Sequence, residues 1–94
     1  MSSRQPDEYY IALERRLRAL APGAKRVLPA EPYRWFLEYV DAGEYGLAVE
    51  VASESLPEEA STPEVRELAG GLLREAEIMG LPDEVTQRLL SRTG

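Results

Sequence analysis

The sequence predicts an all-α protein: a compact bundle of four or five helices in one domain covering residues 1–94. Two observations carry the prediction. Apolar residues recur at i, i+3, i+4 and i+7 through successive segments, and no segment alternates apolar and polar residues as a half-buried strand would. Pro22–Gly23, Gly43 and Gly80 fall where those segments end, which divides the chain into helices of ordinary length.

The first helix is expected over residues 7–20, where Tyr9, Tyr10, Leu13, Leu17 and Leu20 share one face about 100° wide and Arg15 and Arg18 lie outside it. Residues 21–32, APGAKRVLPAEP, hold three prolines and a glycine and read as a loop from which Val27 and Leu28 dip into the core. A second helix follows over 31–42, with Pro32 tolerated in its first turn and Gly43 just past its end. The third, over 44–56, begins so soon that the two must meet at a sharp corner, which Gly43 permits because a glycine takes a positive φ without steric cost. A polar link leads to the fourth helix, 62–79, with Ser61 or Thr62 as N-cap; Ser61 with Glu64 fits a capping box. Val65, Leu68, Ala69, Leu72, Leu73, Ala76 and Met79 form its apolar stripe. Gly70 and Gly71 lie away from the stripe, each costing about 1 kcal/mol relative to alanine, and mark either a weak helix or a close neighbour. The fifth helix is expected over 82–91.

Composition narrows the function. The chain has no cysteine and no histidine, which removes thiol nucleophiles, disulfides, the usual general base and the commonest metal ligand. No phosphate-binding glycine loop or EF-hand spacing occurs, and the carboxylates sit on short helices with no cleft to part their pKa values. An enzyme is not expected, nor a cofactor or metal. No apolar run is long enough for a membrane helix and the start, MSSRQPDEYY, lacks a secretory pattern, so the expected location is the cytoplasm.

The net charge of −6 is unevenly spread: +3 over residues 1–27, −8 over 28–64 and −1 over 65–94. An acidic middle repels nucleic acid and steers basic proteins towards itself, although a charge run is also what any solvated helix face looks like. Its centre, EYVDAGEYGLAVE (38–50), carries Glu38, Asp41, Glu44 and Glu50 and no Lys, Arg or His. Glu54 lies one turn beyond Glu50 on the polar face of the third helix. In the second helix Tyr33, Phe36, Leu37 and Val40 form the core stripe, which leaves Trp35 and Tyr39 one turn apart on a flank, either covered by the rest of the fold or free as an apolar anchor with a charged rim. Tyr45 extends that patch. The candidate partner-binding residues are therefore Trp35, Glu38, Tyr39, Asp41, Glu44, Tyr45, Glu50 and Glu54.

The segment WFLEYVDAGEYGLAVEVASESL (35–56), followed by a helix ending EAEIMGL (75–81), resembles small bacterial immunity proteins of the Maf type, cognate to polymorphic secreted toxins. The resemblance covers residues 33–82 and is carried by Glu38-Tyr39-Val40-Asp41, Gly43-Glu44, Leu47-Ala48 with Glu50, and Met79-Gly80-Leu81. After Val51 the chain reads ASESLPEE in place of the Cys and the Leu-Tyr-Glu run often seen in that family. The resemblance implies a protein that binds and neutralises one toxin domain, often a nuclease. Because a nuclease must attract phosphate, the expected partner is a basic toxin domain, bound by a monomer in a one-to-one complex. The alternative is a non-catalytic helical adaptor or regulatory module, which would bury Trp35, Tyr39 and Tyr45 against a second copy of itself or a larger complex.

Overall fold

Residues 7–58 and 62–93 are described by a computed structural model. They form α1 (Asp7–Ala19), α2 (Ala21–Val27), α3 (Ala30–Asp41), α4 (Tyr45–Glu54), α5 (Pro63–Met79) and α6 (Asp83–Leu90), with no strand among the described residues. The all-α prediction holds. The five predicted helices correspond to α1, α3, α4, α5 and α6, within a residue or two at each end.

The difference is α2, which occupies the segment read as a loop. Pro22 falls at the start of the helix, where no backbone N–H is needed, and Ala24 is fully buried, with α2 packed chiefly on α5. Packing thus makes a helix of a seven-residue segment that its own propensity would leave open. Leu28 is buried and Val27 packs against the core, as expected.

The predicted corner is there. Gly43 has φ +77°, its N–H donates to the Val40 carbonyl (3.1 Å) and the Glu44 N–H donates to the Tyr39 carbonyl (2.8 Å). This pair of bonds closes the end of α3 in a Schellman motif, and Gly80, with φ +69°, does the same for α5 through Leu81 N–H to Ala76 O (3.0 Å). At the other end of α5, Thr62 is the N-cap, its hydroxyl accepting from the Val65 N–H at 3.2 Å. Ser61, the other capping candidate, lies outside the described residues.

The core gathers one stripe from each helix: Leu13 and Leu17, Ala24, Phe36 and Val40, Ala48, Val49 and Ala52, then Leu68, Ala69, Leu72 and Ala76, and finally Val85 and Leu89. Small residues on the buried face of α4 allow α3 to lie close beside it, and these two helices make the most extensive contact in the molecule.

Candidate partner-binding surface

The surface is assembled where α1 crosses the α3–α4 corner. Among the described side chains of α1 only Leu13 and Leu17 are fully buried, with Tyr9 packed against the core beside them, and polar contacts add to its positioning. On one flank the Arg18 guanidinium donates to Glu14 (2.9 Å) and to Asp41 (2.7 Å), and the Tyr45 hydroxyl donates to the other Glu14 oxygen at 3.1 Å. The guanidinium of Arg18, then the Tyr45 hydroxyl, hold the Glu14 carboxyl below the usual carboxylate range. Burial, then the bond to ionised Glu14, pushes the Tyr45 hydroxyl up. On the opposite flank Arg16 Nε lies 3.0 Å from both oxygens of Glu75, a carboxylate only 3% exposed.

These contacts sort the acids of the middle third. Asp41 has a cation, supplied by α1 from 23 positions away rather than from its own neighbourhood. No ion pair among the described residues engages Glu38, Glu44, Glu50 or Glu54. At 100° per residue, Leu47, Glu50 and Glu54 fall on the side of α4 opposite its buried face. Glu44 stands at the N-terminal end of the same helix.

Beside them opens a shallow, wide-mouthed cleft of about 440 Å³. Tyr9, Tyr10 and Leu13 of α1 form one wall, and Met79 and Leu81 close it from the end of α5. The facing wall runs along the corner and the first turns of α4, from Gly43 to Leu47 and on to Glu50. Tyr9 and Tyr10 meet edge to face with ring centroids 5.0 Å apart; Tyr10 is 46% exposed and Leu47 43%.

Three of the predicted residues, Glu44, Tyr45 and Glu50, are therefore brought together in one cleft. Glu54 shares the outer face of α4. Trp35 and Tyr39 make a separate patch, their rings stacked at 6.1 Å with Trp35 41% exposed and Tyr39 packed partly against the core. On the α3 wheel they lie well round the helix from Asp41, with Glu38 between the two flanks.

Tyr9, Tyr10 and Leu47 are surface contributors that the sequence reading left out. A signal existed for the tyrosines: consecutive helical residues point 100° apart, so both cannot face the centre of the core. Leu47 is an apolar residue on a polar face, visible on the same wheel. Glu75 sits at the edge of the α5 stripe, but nothing local indicates Arg16 as its partner. Among the described residues no group of acids is arranged to hold a metal ion and no helix is long and apolar enough to cross a membrane.

No family model, curated protein or solved structure matches this chain. The likeness to Maf-type immunity proteins remains one of the residues quoted above. The functional reading accordingly rests on the geometry of this surface.

Proposed function

We propose that the protein is a non-catalytic, stoichiometric inhibitor: a bacterial immunity protein that binds and neutralises a basic toxin domain in the cytoplasm, a nuclease being the class whose charge it suits. The observation that carries this reading is the row of Glu44, Glu50 and Glu54, carboxylates with no cation of their own chain in contact among the described residues, beside a cleft with aromatic walls. A nuclease attracts phosphate with lysines and arginines. Clustered carboxylates presented to such a surface accelerate encounter, while apolar contacts beside them slow dissociation.

The test is capture by the tagged chain from the strain that encodes it, with washes at low and then high salt. One basic polypeptide at one-to-one stoichiometry is expected, toxic when expressed alone and harmless when co-expressed. With that partner, Glu44→Lys combined with Glu50→Lys slows association by about tenfold or more at low salt and leaves the helical circular dichroism unchanged. Recovery of a multi-subunit assembly, or of the chain alone, counts against the reading.

The exposed Trp35 stacked on Tyr39 favours a second reading, a helical adaptor that dimerises or docks through that patch. Sedimentation over a range of concentrations separates the two, a tight dimer supporting the adaptor and a monomer the inhibitor.

A further inference from the structure

We infer that the cleft between α1 and the start of α4 is a receptor for a single arginine side chain presented by the partner protein. This inference rests on the reading of the protein as a binder of a basic partner, and it names the group that would enter.

Three properties of the cleft select that side chain. Its α1 wall is aromatic, Tyr9 and Tyr10 offering an edge-to-face pair of which Tyr10 is substantially exposed. A guanidinium is planar and weakly hydrated, and it stacks on such rings where an ammonium keeps its water. The facing wall carries Glu44 and Glu50, neither engaged by a cation among the described residues, whereas Glu14 and Asp41 nearby are already committed to Arg18. The cleft lining therefore holds two carboxylates, six positions apart, either of which can accept from the N–H donors of a guanidinium. In the same lining Gly46 presents no side chain and Leu47, Met79 and Leu81 are apolar, which suits the methylene stem of a long cationic residue. A purely apolar anchor would leave both carboxylates facing a desolvated interface without compensation, and an acidic one would be repelled.

The test needs no toxin. The full chain, isotopically labelled, is titrated with a capped pentapeptide of glycines around one central arginine, and with lysine and citrulline versions. Saturable amide shifts are expected at Gly43, Gly46, Leu47 and Leu81, with a dissociation constant on the order of 1 mM. The citrulline peptide, nearly the same shape without the charge, binds at least roughly tenfold more weakly, with lysine intermediate. Glu44→Gln with Glu50→Gln weakens the arginine peptide by about tenfold, and Tyr10→Ser, which keeps both acids, by about threefold. Absence of saturable shifts, shifts centred elsewhere, or equal binding of citrulline overturns the inference. Failure here and failure of the broader reading are distinguishable. Arginine binding with no toxin captured sinks the toxin and keeps the cleft, and a captured toxin held undiminished by the Glu44→Gln/Glu50→Gln chain does the reverse.

Discussion

Gly70 and Gly71 are adjacent in the middle of α5, yet the fold treats them differently. A Cβ added at Gly70 meets nothing within 4 Å, whereas one at Gly71 would lie 2.6 Å from Cδ2 of Leu20, at the α1–α2 junction. Of the two explanations open from the sequence, the close neighbour applies at Gly71, and Gly70 simply weakens the helix. Gly70→Ala should therefore stabilise the protein by roughly 0.5–1 kcal/mol, while Gly71→Ala falls short of that gain because Leu20 must move. Urea unfolding of the two variants reads the difference. A second asymmetry concerns the Arg16–Glu75 pair. Arg16 is partly exposed and can turn to water when its partner is lost, but Glu75 is enclosed. Arg16→Met should accordingly cost more than Glu75→Gln, by about 1–3 kcal/mol, the penalty of leaving a charge buried without its partner. Equal losses in the two variants would show that Glu75 reaches water without Arg16.

At the scale of elements, the decisive features are where helices stop and which face they turn inward. Gly43 ends α3 with a positive φ that Ala takes only under strain, so Gly43→Ala should destabilise by about 1–2 kcal/mol and Gly43→Asn by less. Thermal unfolding measures this, and an Asn variant as unstable as the Ala variant would mean that space, not φ, is limiting. This corner was legible in the sequence because glycine after an apolar stripe is a local signal, and so were the stripes of α3 and α5. What was not legible depended on contacts between distant segments. APGAKRV becomes α2 only because Ala24 has α5 and the core to pack against, and a seven-residue window cannot show that. The same holds for Asp41: its run contains no cation, and its partner Arg18 belongs to another helix. Of the candidate site, the acids of the corner were readable from composition, whereas the aromatic wall of the cleft required knowing that α1 lies across it.

Taken as a whole, the chain folds its basic first third onto its acidic middle. Arg18 is spent on Glu14 and Asp41, so the negative face that remains outward is smaller than the charge count implies, with Glu50 and Glu54 of α4 among the acids that no ion pair engages among the described residues. Stability inherits a pH dependence from this arrangement. Glu14 has a lowered pKa in the folded state, so its contribution is fully present above the unfolded value of about 4.3 and is lost as pH falls through the folded value. A comparison of wild type with Glu14→Gln by urea unfolding should show wild type ahead near neutrality and the gap narrowing below about pH 4.3. A constant gap would place the contribution of Glu14 in packing rather than charge.

The cleft has one wall from the α3–α4 corner and one from α1, a helix of whose described side chains only Leu13 and Leu17 are fully buried. A site built this way is no more durable than its looser half. Detachment of the opening turns of α1 would carry Tyr9 and Tyr10 away and abolish the cleft, so occupancy and the docking of that helix are linked. Whatever fills the cleft therefore slows amide hydrogen exchange along α1, including at positions it never touches.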